Sequence, residues 1–426
     1  MKINKILKRL LQLHPKSVDL SLDRIKRLLK DLKSPEKKIN NAIQVVGTNG
    51  KYSFCTTLRE IFETAGYSVN MNISPSIRKF NERYYFTGKN ISDDKLFDLL
   101  AEVEKVNNNQ NITFHEFICA CFFLEASRNE SDINILESGL FFRLDASNVL
   151  EKNICSVIMP IDIDHKDFLK KGTIDEIVYE KCSHLLGDSK IIISEQKKAT
   201  LKKIEKQIRK NSSKKIIFGK DYKYKKNDKD FIYTDNISEI KLPLPNLLGD
   251  FQISNVSTAI ATARSLSKFN ITESHIKKSI IKIKSEGRLH NISKGKLRKF
   301  VSKNNQILID GAHNPLAANV ISKYLENLNS GKKIYMILGM MANKQHKEFI
   351  EVFKNKIKSI ITLDIPNQEN FIHKEKLSKI AQSCGIPSKT ENSIESALKN
   401  ISKNDGEAII FCTGSLYFVG EILNLN

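Results

Sequence analysis

At 426 residues the chain exceeds what one hydrophobic core usually fills, so two or three domains are expected. A hydrophobic fraction of 40% beside 27% charged residues describes a globular protein and excludes a disordered one. The net charge of +21 comes mostly from Lys scattered among Asn and Ile, without a zinc-finger, RRM or helix-turn-helix signature, so a solvated surface attracting anions is expected and a nucleic-acid partner is not.

The seven cysteines are odd in number, have apolar neighbours and form no CxxC pair, which points to reduced core thiols and away from disulfides or zinc. The N-terminal MKINKILKRLLQLH interrupts its apolar positions with charge and has no cleavage site, and no run of transmembrane length follows. A cytoplasmic enzyme is the expectation.

In chain order, Leu20, Leu22, Ile25, Leu28, Leu29 and Leu32 are spaced for an amphipathic helix over 20–32. A strand over 42–46 meets GTNGK, after which Phe54, Leu58, Ile61, Phe62 and Ala65 recur at helical spacing: strand, glycine loop, helix. Helix 114–126, strands 133–137 and 154–161, helix 173–186 and strand 190–194 continue an alternation that predicts a mostly parallel α/β sheet. Residues 197–246 read as Lys-rich, irregular and peripheral, with short strand-like pieces such as 216–218 and 231–233. The polar stretch 284–300 suggests a boundary, giving expected domains over 1–286 and 287–426. In the second, strands at 307–310, 334–338, 359–364 and 408–412 alternate with helices at 315–327, 344–356, 373–383 and 393–402, a smaller Rossmann-like α/β unit.

Candidate chemistry sits at strand ends, where open α/β sheets bind ligands. GTNGK at 47–51 can hold phosphate on backbone N–H groups at a helix start while Lys51 neutralises charge; it departs from GxxxxGK[ST], because Tyr52 follows Lys51, and a plain turn and cap is the alternative. Glu137 ends one apolar run, and Asp164 with His165 ends another. Glu137 suits a hard cation such as Mg²⁺, whereas an imidazole is a less usual magnesium ligand. Lys181 stands on the stripe defined by Ile174, Ile177, Val178 and Leu185, in a helix whose start is fixed by the Thr173–Glu176 capping box. A snorkelling stem would be the bland explanation. Asp310 and His313 in DGAHNP follow another strand, with Pro315 suited to a first helical turn; a turn former and a solvated loop histidine are the alternatives.

Taken in order, VDLSLDRI (18–25), VVGTNGKYS (45–53), ISPSIRKFNER (73–83), ITFHEF (112–117), LESGLFFRLDASNV (136–149), DIDHKDFL (162–169), EIVYEK (176–181), SEGRL (285–289), ILIDGAHNPLAA (307–318), LGMMANK (338–344) and TGSLYFVGE (413–421) span nearly the whole chain. They resemble the folylpolyglutamate synthase and dihydrofolate synthase family of the Mur ligase superfamily, in its bifunctional bacterial form. The resemblance implies a P-loop-type Mur ligase central domain followed by the Rossmann-like domain, and ATP-dependent joining of L-glutamate to dihydropteroate and to the γ-carboxylate of folates through an acyl phosphate. It implies ATP bound by Thr48, Asn49, Gly50 and Lys51, with Asn255, Arg288 and Asp310 completing a site between the domains. Magnesium ions, two by this reading, would be held by Ser74, Glu137, His165 and Lys181, the last carbamylated. Lys51, Lys181 and His313 are the implied catalytic residues. Pterin-side contacts fall on Val18, Asp19, Leu20, Asn111, Ile112, Thr113, Phe114, Leu144, Asp145 and Ala146. A monomer acting on small molecules, with neither nucleic acid nor membrane as partner, is implied.

The chain departs from the family pattern at Tyr52 and Phe54 in the loop, Ser76, the Phe141-Phe142 pair, Cys182, Ser183 and Asn343, changes that bear on the folate pocket more than on catalysis. Alternatives are an enzyme that only extends folate tails, a peptidoglycan Mur ligase, for which the SPxxxxFNER and TFxEF segments are not expected, and a non-catalytic binding relative.

Overall fold

The computed structural model describes residues 2–16, 19–328 and 331–426. It divides into two compact units, Met1–Asn246 with Gln252–Ile283, and Leu247–Phe251 with Lys284–Asn426. The second unit thus comprises Lys284–Asn426 and a short earlier segment that ends at the first residue of helix Phe251–Ser265.

The first unit is built on eight strands: β1 (Ala42–Val46), β2 (Val69–Asn72), β3 (Tyr84–Phe86), β4 (Lys89–Asn90), β5 (Ile133–Glu137), β6 (Cys155–Ile158), β7 (Lys190–Ile193) and β8 (Lys214–Ile217). Their order is β4-β3-β2-β5-β1-β6-β7-β8. From β2 to β8 every pairing is parallel, and β3 and β4 add an antiparallel edge. All five residues of β1 and of β5 are buried, as befits central parallel strands covered on both faces. Because β1 lies between β5 and β6, the chain leaves it toward β2 on one side and later returns to β6 on the other. The carboxyl end of β1 is therefore a switch point where a crevice opens.

One core packs helices Lys2–Leu10, Asp23–Asp31, Asp93–Asn107 and Phe114–Ala126 with side chains of β1, β3 and β5. Another packs Ile174–Cys182 and Lys198–Gln207 against β6 and β7. All seven cysteines are buried and free.

Expectations are corrected in three places, two of them in this unit. Residues 197–246 are regular: helix Lys198–Gln207 and β8 extend the main sheet, and β9 (Tyr222–Lys226), β10 (Asp230–Asp235) and β11 (Glu239–Pro243) form an antiparallel sheet. Lysines on their exposed faces mask the alternation, while Tyr222, Phe231, Tyr233, Ile240 and Leu242 supply the buried face. The helix expected over 173–186 ends at Cys182. Asn211 donates its side-chain amide to the Leu185 and Leu186 carbonyls, at 2.8 and 3.3 Å, so those groups are satisfied without a further helical turn.

The second unit has six strands, β12 (His290–Asn291), β13 (Gln306–Ile309), β14 (Ile334–Leu338), β15 (Ser359–Thr362), β16 (Ser388–Thr390) and β17 (Ile409–Thr413), in the order β12-β13-β17-β14-β15-β16. All pairings but β12 with β13 are parallel. The helix expected over 344–356 is short, His346–Glu351, and tightens into i→i+3 bonds such as Phe353 N–H to Ile350 O at 3.0 Å.

Candidate active site

The glycine loop leaves β1 at Gly47 and enters helix Lys51–Thr64 at Gly50, whose φ of 83° is left-handed and open chiefly to glycine. A side chain would not fit at either glycine. A methyl group on Gly47 would lie 2.7 Å from Met159 Cβ, and one on Gly50 2.6 Å from Asn255 Oδ1. Asn255, buried in helix Phe251–Ser265, therefore abuts the loop it was expected to serve. Thr48 is clamped to the segment after β6, its N–H donating to Pro160 O at 2.8 Å and its hydroxyl to Asp162 O at 3.0 Å. The first turn of the helix supplies backbone N–H groups that no helical carbonyl can accept, a site suited to anions.

Charged groups converge on this loop. Lys51 Nζ donates to Gly47 O at 3.1 Å and lies 4.0 Å from Glu137 Oε1. Glu137, buried at the end of β5, accepts the Ser74 N–H on Oε2 at 3.2 Å, and the Ser74 hydroxyl accepts from Arg83 Nη1 at 2.9 Å. Lys181 is 3% exposed, and its Nζ donates to Gly47 O at 2.9 Å and Leu140 O at 2.8 Å. Burial, reinforced by the Lys51 charge, pulls this amine down to about 7. A neutral amine has two N–H groups, and here two carbonyls receive them. The buried Phe141 ring lies 5.6 Å from Lys181 Nζ and meets the His165 ring edge-on at 6.4 Å. His165 stands at φ 55° beside Asp164, whose Oδ1 accepts its N–H at 2.8 Å.

Among the described residues no three His, Cys, Asp or Glu side chains converge as a metal cage. The expected donors are instead a carboxylate, a hydroxyl, an imidazole and a lysine, with Ser74 and Glu137 touching. Such a partial set fits magnesium, which keeps waters and nucleotide oxygens in its shell.

In the second unit, Asp310 follows β13 and is buried; its Oδ2 accepts the Leu289 N–H at 2.8 Å and its Oδ1 the Ala312 N–H at 2.7 Å. Burial raises this carboxyl despite Arg288 and those two donors. A methyl on Gly311 would approach Arg288 Nη1 to 2.8 Å, so the guanidinium lies over the DGAHNP turn. His313 Nδ1 is 2.9 Å from Gly311 O, and Asn314 caps helix Pro315–Asn327.

The expected acceptor-side residues divide by environment. Val18 lies outside the described residues. Asp19 and Leu20 are half-buried, Asn111 is exposed, and Phe114 and Leu144 are half-buried. Ile112 and Ala146 are core residues, and Thr113 is spent on the capping box of helix Phe114–Ala126, accepting the Glu116 N–H at 3.3 Å while Glu116 Oε2 accepts its N–H at 2.8 Å. Asp145 is saturated by Gly139 and Ser147 donors.

Sequence reasoning passed over Arg24. It donates to Glu116 Oε2 at 2.9 Å, to Asp19 Oδ2 at 2.8 Å and to Asp19 O at 2.8 Å, tying the segment at 19–20 to the start of helix Phe114–Ala126. Its position on the polar side of an amphipathic helix gave no sign of a buried partner.

Residues 45–263 match the Mur ligase middle domain, and residues 293–425 match the C-terminal domain of dihydrofolate synthetase. A dihydrofolate synthase/folylpolyglutamate synthase of Buchnera aphidicola is 30% identical over 89% of this chain and 88% of its own. The chain belongs to the dihydrofolate synthase/folylpolyglutamate synthase family of Mur ligases. It is accordingly an ATP-dependent ligase that uses glutamate. The Bacillus subtilis member of this family is 27% identical, over 94% of each chain. Escherichia coli FolC in complex with DHPP and ADP superposes with a TM-score of 0.87 at 23% identity, covering 99% of this chain and 97% of that one. The folylpolyglutamate synthase of Thermotoga maritima does so at 0.81 and 25%, covering 100% and 97%.

Proposed function

We propose that the protein joins L-glutamate to dihydropteroate and also to the γ-carboxylate of reduced folates, working as a cytoplasmic monomer. The observation that carries this reading is the convergence of Lys51, Glu137, Ser74 and Lys181 on one glycine loop. Relatives that are dihydrofolate synthase/folylpolyglutamate synthases support both acceptors, and no helix among the described residues is long and apolar enough to cross a membrane.

In this reading Thr48, Asn49, Gly50 and Lys51 hold the ATP phosphates, Asn255 fixes the loop, and Arg288, Asp310 and His313 also serve ATP and its chemistry. Residues 1–286 act as the ATP-binding domain and 287–426 as the glutamate-ligase domain. A carboxylate oxygen of the acceptor attacks the γ-phosphorus and ADP leaves; the glutamate amine then attacks the acyl carbon, phosphate leaves, and the amine gives up its proton to water. Lys51 and the helix N-terminus stabilise charge on the transferred group. Ser74, Glu137, His165 and Lys181 would hold magnesium, which supplies further charge neutralisation when bound. The depressed Lys181 amine is free to add CO₂ and release a proton, giving a carbamate oxygen donor.

The test is purified protein with Mg-ATP, glutamate and either dihydropteroate or a reduced folate, with products weighed by mass spectrometry. One added glutamate on each acceptor is expected, and Lys51→Ala should lower kcat about 10²- to 10³-fold. Product from the folate alone assigns a tail-extending enzyme, and product from neither overturns the reading.

A further inference from the structure

Residues 197–215 hold nine Lys or Arg against the single acid Glu205, a large part of the chain's net charge of +21. They form helix Lys198–Gln207, its exit and the start of the edge strand β8. The acids around them are taken: Lys197 pairs with Asp162 at 2.6 Å, Lys203 with Asp175 at 2.6 Å and Lys220 with Glu205 at 2.5 Å. Lys198, Lys202, Lys206, Arg209, Lys210 and Lys214 are exposed and form no ion pair among the described residues.

This helix runs against three local rules. Lys198, Lys202 and Lys206 stand four residues apart, where like charges repel along one face. The first turn has no acid, so Lys198 faces the positive end of the helix dipole, and the start has no side-chain cap. The opposite face, with Thr200, Ile204 and Ile208, is buried, the two isoleucines in the core shared with helix Ile174–Cys182. Burial explains why the helix forms and leaves the cations unexplained. Charges set against the stability of their own helix argue for a surface kept for an anion.

The nature of that anion follows from the spacing. The lysines run in single file about 6 Å apart. An extended γ-linked glutamate chain repeats one free α-carboxylate every five backbone bonds, also about 6 Å. No aromatic residue lies within 197–215 to stack a nucleobase, and the apolar side of the helix is spent on the core, so none is left to enter a bilayer. The stripe starts beside the glycine loop, because the Asp162 that binds Lys197 also accepts the Thr48 hydroxyl on its carbonyl at 3.0 Å.

We propose that the exposed face of helix Lys198–Gln207 docks the γ-linked oligoglutamate chain of long-tailed folates. This rests on the proposed function, in which such chains are what the protein builds. Each carboxylate meets one lysine, so binding strengthens with chain length and weakens with salt.

The test titrates fluorescently labelled penta-γ-glutamate, which has no pteridine, into wild type and into Lys198→Gln/Lys202→Gln/Lys206→Gln, read by anisotropy at about 0.05 M salt. Wild type should bind the pentamer about tenfold more tightly than the dimer, and the triple variant should lose about tenfold, because each exposed pair contributes about two- to threefold. Turnover of dihydropteroate or monoglutamyl folate should stay within about twofold, and the variant should melt no lower than wild type once like charges are removed, which separates lost docking from lost folding. Equal pentamer affinity in wild type and variant overturns this inference and leaves the proposed function standing. Tighter binding of hexauridylate, or of phosphatidylglycerol vesicles, than of the pentamer overturns it as well. Pentamer binding by a protein that glutamylates neither acceptor supports the docking site and overturns the proposed function.

Discussion

Lys181 illustrates how one side chain can hold conflicting demands. Its burial against Gly47 O, Leu140 O and the Phe141 ring favours the neutral amine, and its pKa near 7 lies well below that of an exposed lysine. A lysine whose folded pKa is depressed makes the unfolded chain the better proton binder between those values, so stability rises with pH across that window. In CO₂-free, metal-free buffer, urea unfolding should therefore show a rise of up to about 1.4 kcal/mol per pH unit between about pH 7.5 and 9.5, and Lys181→Met should remove it. An unchanged slope in that variant would show that Lys181 titrates normally. Phe142, fully buried among Ile158, Ile161 and Ile177, belongs to the core; Phe142→Ala should cost about 3–5 kcal/mol in the same measurement.

Elements of the first unit meet through ion pairs that no local pattern announces. The Arg24 guanidinium joins helix Asp23–Asp31 to the capping box of helix Phe114–Ala126, with Glu116 buried at the contact. Arg24→Ala leaves that carboxylate without its cation and should cost about 2–3 kcal/mol, less than a fully buried pair because the guanidinium keeps some solvent. Calorimetric melting checks it, and an unaltered midpoint would refute the clamp. Thr173→Ala tests a simpler device. It removes the hydroxyl that accepts the Glu176 N–H at 3.3 Å, and about 1 kcal/mol should be lost as the helix that carries Lys181 frays.

Across the whole molecule the excess of 69 Lys and Arg over 48 Asp and Glu gives a field that attracts ATP and carboxylate acceptors. The kcat/KM for Mg-ATP should fall several-fold as salt rises from about 0.05 to about 0.3 M, as the screening length shortens, with kcat nearly constant. By itself the sequence determined the elements whose apolar period is undiluted: the central strands β1, β5 and β14, helix Phe114–Ala126, and the loop at 47–51 with Lys181 out of place on its stripe. Period and capping act over a few residues, so they are legible in one dimension. Of strands β9 to β11 only the piece at 231–233 was legible, because surface lysines dilute the alternation of the others, and the helix expected over 173–186 ends at Cys182 while Asn211, remote in sequence, satisfies the Leu185 and Leu186 carbonyls beyond it. Only the tertiary structure decided that Asp145 is sealed in and that Arg24 finds Glu116. Burial and charge pairing depend on which segments the sheet order brings together, and that order is set by long-range packing rather than by any local run of residues.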